Sequence, residues 1–246
     1  MKPEIRKIIS RSVLFFGVLA VSVAGMKLAV LRNEQNAPDV LPVSSAQTPV
    51  IVLDAGHGGI DGGCSTQDGI PEKGINLNIL LDLRSLLEIS GYEVQVTRDT
   101  DRSIHDQGIE GIANQKSSDM DNRLKILNAP ENAVCISIHQ NQFTDAKYSG
   151  AQMFYSPTNS GSESLAQTMQ TQFRTLLQPQ NTREIKCCGK ELFLCYFCEH
   201  PMVMAECGFL SNPEEGRLLT DEEYQHKVAM VLFSGLTQWL SGQQTA

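Results

Sequence analysis

Positive charge is scarce over most of this chain. Of its 20 Lys and Arg and 28 Asp and Glu, residues 1–32 hold six bases and one acid, which leaves 14 bases against 27 acids in the remainder. A body that acidic argues against nucleic acid as a partner, because phosphate contact needs the opposite sign. No interleaving of aromatic and basic residues offsets it. A nucleotide-phosphate loop is missing too. Gly56–Gly63 is glycine-rich, but it lacks a Lys-Ser/Thr pair and runs on into Cys64-Ser-Thr-Gln-Asp-Gly69 rather than into a helix. No internal repeat is visible. The seven cysteines are odd in number, and 246 residues at 41% hydrophobic content suffice for a sizeable core, so no disulfide framework is implied. Cys195-Tyr-Phe-Cys198 is a lone CxxC with Cys187-Cys188 upstream. Without a second CxxC, a four-cysteine metal knot is the weaker reading, and small buried hydrophobes on or near strands the plainer one.

The basic residues that do exist cluster at the start. Lys2, Arg6, Lys7 and Arg11 precede an uncharged, mostly apolar run, Ser12–Met26; after Lys27 it continues through Leu28–Leu31. A basic flank before such a run predicts either a secretory signal or a single membrane anchor over residues 1–32. Both place the rest of the chain outside the cytoplasmic membrane. Residues 33–47 are polar, rich in Asn, Gln, Pro and Ser, and read as a linker. Residues 48–246 are expected to form one catalytic domain.

That domain is organised around Ile51–Gly63, IVLDAGHGGIDGG. The short β-branched run predicts a buried strand, and the glycines beyond Asp54 predict a sharp turn carrying His57. In open α/β sheets, sites form beyond the carboxyl ends of strands. His57 is therefore read as a first zinc ligand, against the plainer reading of a loop histidine. Ile75–Ile89 has helical periodicity, and Glu72 stands at its threshold. There it is either a carboxylate favoured by the helix dipole or a second ligand. Glu93–Arg98 reads as a second strand, Ser103–Ser118 as a loop or irregular insertion, and Asp119–Asn128 as a helix. His105, in the insertion, reads as a solvated surface histidine. Ala133–Ile138 is another buried strand, and it delivers His139 at its end as His57 is delivered. Gly150–Tyr155 and Leu192–Phe197 read as strands, Ser162–Leu177 and Asp221–Leu240 as helices. Met202–Ala205 reads as a strand ending at Glu206. A carboxylate there is costly to bury unless it is paired or does chemistry. Two His and one Glu form a standard ligand set for catalytic zinc, and a free carboxylate beside it can act as general base. Glu206 fits that second role.

The segments IVLDAGHGGIDGG, Glu72-Lys73 with Asn76-Leu77-Asn78, VTRDTD, the Asp119–Arg123 pair, SIHQN and MAECGFLSNPEE, in that order, resemble the zinc-dependent N-acetylmuramoyl-L-alanine amidases of the Amidase_3 type. Within that family the likeness is to germination-specific amidases of spore-forming bacteria. The resemblance implies a three-layer α/β/α fold with a mostly parallel six-stranded sheet. It implies Zn2+ held by His57, Glu72 and His139, with Glu206 as the catalytic carboxylate. The implied substrate is peptidoglycan, cut between the lactyl group of N-acetylmuramic acid and L-alanine, in spore cortex maturation and germination. It leaves room for an accessory lipoprotein as partner. Another zinc wall hydrolase, a carboxypeptidase or deacetylase, is the alternative enzyme; a non-catalytic wall-binding module is the alternative without chemistry. Gln142, Cys187-Cys188-Gly189 and the 103–118 stretch depart from the family pattern.

Overall fold

The computed structural model describes residues 48–243. The anchor or signal expected at 1–32 and the linker at 33–47 lie outside the described residues. Among the described residues, no helix is long and apolar enough to cross a membrane.

Six strands form one sheet: β1 (Val50–Ala55), β2 (Val94–Val96), β3 (Ala133–Asn141), β4 (Gln152–Tyr155), β5 (Lys186–Cys187) and β6 (Met202–Phe209). Their order is β2-β1-β3-β6-β4-β5. Every pairing is parallel except β4 with β6. The helices are α1 (Glu72–Ile89), α2 (Ile112–Leu127), α3 (Ser160–Gln172, running into a π-type turn at Phe173–Leu177), α4 (Phe193–Phe197), α5 (Pro213–Leu219) and α6 (Glu222–Gln243).

Successive side chains of a strand face opposite sides of a sheet, and here the two sides differ. Ile51, Leu53, Val134, Ile136, Val203 and Ala205 face the larger core, with α1, α3 and α6. Val52, Cys135, Met202 and Met204 face a smaller cluster, with α2 and α4. This is the expected α/β/α layering. On the smaller side the residues turn polar toward one end of the sheet. Asp54 is in register with Ser137, His139 with Glu206, and Glu206 with Gln152. That gradient places a row of functional groups above a thin apolar floor.

Three segments differ from the expectations. Leu192–Phe197 is not a strand but contains the short helix α4, which turns Leu194 and Cys195 into the smaller core. A short apolar run has no period that separates helix from strand. The sheet's last position is taken instead by the two-residue β5, too short to show alternation. Helix α2 begins at Ile112, within the stretch read as irregular; its first buried residues, Ser118 and Asp119, are polar and show no apolar stripe, which begins only with Met120, Leu124 and Leu127. β6 does not stop at Glu206 but continues to Phe209 past a register shift opposite His139–Asn141. A bulge of this kind bends a strand and re-aims side chains beside a site. His105 is half-buried rather than solvated, and its Nδ1 lies 2.8 Å from Ser103 Oγ. All seven cysteines are free. Five are buried, Cys64 is half-buried and Cys187 exposed.

Two buried arginines hold the turn after β1. Arg123 donates from Nη1 to Asp54 Oδ1 and to the Ala55 carbonyl, both at 2.7 Å, from Nη2 to the His57 carbonyl at 2.5 Å, and from Nε to Asp119 Oδ2 at 2.6 Å. Arg98 donates to the carbonyls of Ala55 (2.9 Å), Gly56 (3.0 Å) and Lys73 (2.8 Å). Asp54 also accepts from Thr97 and Ser137. Burial alone would raise the Asp54 pKa. The Arg123 charge and the two hydroxyls more than offset that, and hold it at about 2 against an ordinary 3.8. Stability from this group is therefore present above pH 3.8 and lost as pH falls toward 2. Asp54→Asn removes one of the two carboxylates that neutralise the buried Arg123, so it should lower unfolding free energy by up to about 3–5 kcal/mol and flatten part of the acid limb. Urea denaturation at neutral and low pH checks this; wild-type stability in the variant would mean the pair is not structural.

Candidate metal centre

His57 sits in the left-handed region, with φ 64°. That conformation is costly for a non-glycine residue and persists where surroundings impose it. Here the Arg123 bond to its carbonyl imposes it. The turn then aims the imidazole back over the strand ends. Its Nδ1 lies 2.9 Å from Asp61 Oδ2, and Asp61 is held in turn by Lys116 Nζ at 2.8 Å. The opposite nitrogen, Nε2, lies 3.2 Å from Glu72 Oε2.

Glu72 is the first residue of α1 and is almost fully buried. It accepts from the Cys64 amide (3.0 Å), the Gln140 amide (2.9 Å) and Asn76 Nδ2 (2.9 Å). His139 Nδ1 lies 3.1 Å from its Oε1. Burial opposes the Glu72 charge, but the hydrogen bonds and charges of His139 and His57 prevail and hold the carboxyl well below the usual range. Glu72 thus stands at the helix start and also has its carboxylate fixed, as a metal ligand would need.

One donor atom from each of His57, Glu72 and His139 lies within 4.8 Å of the others, the one such group among the described residues. The two rings meet edge to face at 5.0 Å. Two glycines make room for them. A Cβ on Gly56 would lie 2.2 Å from the His139 ring; one on Gly63 would lie 2.6 Å from both the His57 ring and Glu72 Oε2. The donor set and its close convergence suit a divalent cation with nitrogen and oxygen preference.

Glu206 is the direct cross-strand neighbour of His139 and faces the same side of the sheet. Its Oε2 is buried without a hydrogen-bond partner among the described residues. Burial, with the like charge of Glu72, outweighs the opposing charges of His139 and His57 and pushes its pKa up to about 7. The structure thus places all four predicted side chains around one end of the sheet. Asp61, Lys116, Arg98, Asn76 and Gln140 were not singled out as functional from sequence. Asp61 alone left a local signal, a carboxylate four residues after the histidine.

The family profile described as N-acetylmuramoyl-L-alanine amidase (Amidase_3) matches residues 51–238. A germination-specific N-acetylmuramoyl-L-alanine amidase of Bacillus subtilis is 33% identical over 210 residues, covering 85% of this chain and 86% of that one. Among solved structures, the CwlD amidase of Clostridioides difficile, determined with the GerS lipoprotein, superposes with a TM-score of 0.76 at 38% identity, covering 79% of this chain and 99% of that one. The catalytic domain of the CwlV amidase of Bacillus (Paenibacillus) polymyxa superposes with a TM-score of 0.64 at 28% identity, covering 78% of this chain and 98% of that one.

A carboxylate on the far nitrogen of a ligating histidine fixes the ring and raises its basicity. Its loss typically costs about 10–100-fold in metal affinity. Asp61→Ala should show a loss of that size for divalent zinc in competition with a chromophoric chelator. Unaltered affinity would mean that Asp61 does not orient His57.

Proposed function

The chain belongs to the N-acetylmuramoyl-L-alanine amidase family, and we propose from that premise that His57, Glu72 and His139 hold zinc while Glu206 is the catalytic carboxylate. Its reaction is hydrolysis of the amide between the lactyl group of N-acetylmuramic acid and the L-alanine of the peptidoglycan stem. The observation that carries the residue assignment is the convergence of three donor atoms within 4.8 Å, with a carboxylate of unpartnered Oε2 on the neighbouring strand.

Zinc in this trio would supply Lewis acidity toward the amide carbonyl and the attacking water. Glu206 supplies the proton transfers. It takes a proton from water as oxygen adds to the carbonyl carbon. It returns that proton to the alanine nitrogen as the C–N bond breaks, leaving a free amine and a lactyl carboxylic acid, whose remaining water-derived proton passes to solvent as it ionises. A group that must act as base and then as acid works best with a pKa near the operating pH, and burial has moved Glu206 in that direction. Thr97, Ser137 and the two arginines keep the strand ends in place during these transfers.

The setting follows the relatives. Likeness to a germination-specific amidase supports a role in the spore envelope, in cortex maturation toward muramic-δ-lactam and in germination. The C. difficile CwlD amidase was solved with a lipoprotein, and a lipoprotein partner is proposed here as well. Residues 1–32 would carry the chain out of the cytoplasm, as anchor or cleaved signal.

Glu206→Gln should keep zinc and fold yet lower amide cleavage by about 10²–10⁴-fold, read as stem peptides released from peptidoglycan by mass spectrometry. Near wild-type release in this variant would remove Glu206 from the mechanism. The wild-type rate should rise with pH along an acidic limb as Glu206 ionises. A dication nearby favours the carboxylate and moves that midpoint below about 7. A chelator should abolish release, and product analysis showing D-alanine or acetate in place of stem peptides would contradict the amidase assignment.

A further inference from the structure

The row of groups on the open side of the sheet does not end at Glu206. Gln152 of β4 is its register partner on the side away from His139. Beyond it lie Arg183 and Lys186 on the approach to β5 and in it. Arg183 Nη2 donates to Gln152 Oε1 at 2.7 Å, and its guanidinium lies over the Phe209 ring at 4.7 Å. Together they line a groove of about 350 Å³ whose apolar wall includes Phe143, Tyr148 and Phe154. Phe143 and Tyr148 pack edge to face at 4.9 Å and are 53% and 39% exposed along that groove.

The other cations around the site are already engaged. Lys73 pairs with Asp101, Lys116 with Asp61 and Arg123 with Asp54, and Arg98 is bonded to backbone carbonyls. Arg183 and Lys186 differ: neither forms an ion pair among the described residues. Arg183 Nε is buried without a hydrogen-bond partner. Glu215, whose charge acts on Arg183, is held by the amides of Gly150 and Phe209. Two cations without an ion pair among the described residues, beside an aromatic wall on an otherwise acidic chain, suit an anion attached to an apolar body.

The chemistry says which part of the substrate comes here. The carboxylate that protonates the departing amine must lie on the alanine side of the bond. Glu206 is that group, so the peptide leaves the bond on the Glu206 side and runs toward β4 and β5. Two strand spacings separate β6 from β5, on the order of 10 Å, or about three extended residues. We propose that Arg183 and Lys186 form a subsite for a free carboxylate of the stem peptide, with Phe143, Tyr148 and Phe154 packing on the peptide's apolar atoms. The inference rests on the amidase reading of the centre.

The test compares two substrates in one enzyme: disaccharide-peptide muropeptides with their stem carboxylates free, and the same muropeptides with those carboxylates converted to methylamides. The ratio of kcat/KM for the two is insensitive to the fraction of enzyme folded, which protects the measurement if Arg183→Gln folds poorly. Lys186→Gln alters an exposed residue with no bonded side-chain partner, so it is the cleaner variant. The zinc-loaded full chain should prefer free carboxylates by at least about tenfold, the scale of one charged hydrogen bond. That ratio should fall toward one in Lys186→Gln or Arg183→Gln, the loss appearing mainly in KM. A wild-type ratio near one, or a ratio unchanged in both variants while cleavage continues, overturns the subsite and leaves the amidase reading intact. Cleavage of neither substrate by the wild type would overturn both.

Discussion

Two guanidinium groups buried beneath the first strand's exit hold the backbone on which the centre is built. Arg123 and Arg98 between them bind the carbonyls of Ala55, the last residue of β1, and of Gly56 and His57, which follow it out of the sheet. Buried carbonyls without donors are costly, and a glycine-rich turn cannot supply its own. The arginines supply donors, and Asp54 and Asp119 supply the charge that lets Arg123 stay buried. The ion pair is weak evidence for stability as such. Its consequence is geometric: one conformation of the turn satisfies all of these groups, and in that conformation His57 has its ring over the strand ends.

The same economy of parts appears at Glu72. Its position at a helix start gives it favourable dipole and fixed donors from Cys64, Gln140 and Asn76. Those contacts tie α1, the 57–64 turn and β3 to one carboxylate. Glu206 is the opposite case. None of the described residues donates to its buried Oε2, and burial moves its proton affinity toward neutrality. Two glutamates of one site are thereby pushed in opposite directions, the separation that the proposed roles of ligand and acid–base group require. The asymmetry of the sheet makes this affordable in structure. One side is sealed by three long helices, while the other, covered by α2 and a five-residue α4, grades from Cys135 and Met202 into His139, Glu206 and Gln152.

Much of this was legible before the fold was known, and the failures have physical causes. Buried strands announced themselves by β-branched runs at 49–53 and 133–138, and a histidine beyond the end of each was a visible candidate. Helices α1 and α6 showed their apolar stripes. The start of α2 did not, since its first inward residues are Ser118 and Asp119, and polar residues read as surface when their partners are unknown. Leu192–Phe197 misled because apolar content says that a segment is buried but, over six residues, not in which conformation. β5 has only Lys186 and Cys187 and offers no pattern at all.

What the chain's own order determined, then, is local: which segments are buried, where they stop, and which reactive side chains stand at their ends. It could not determine which ends meet. The convergence of residues 57, 72 and 139 depends on β1 lying beside β3, and the nearness of Glu206 on β3 lying beside β6. Those adjacencies are properties of the whole sheet, since each strand pairs through backbone groups common to all residues. The roles of Asp61, Arg98, Lys116 and Gln152 were likewise decided only in three dimensions, because a polar side chain acquires a function from the neighbour it meets.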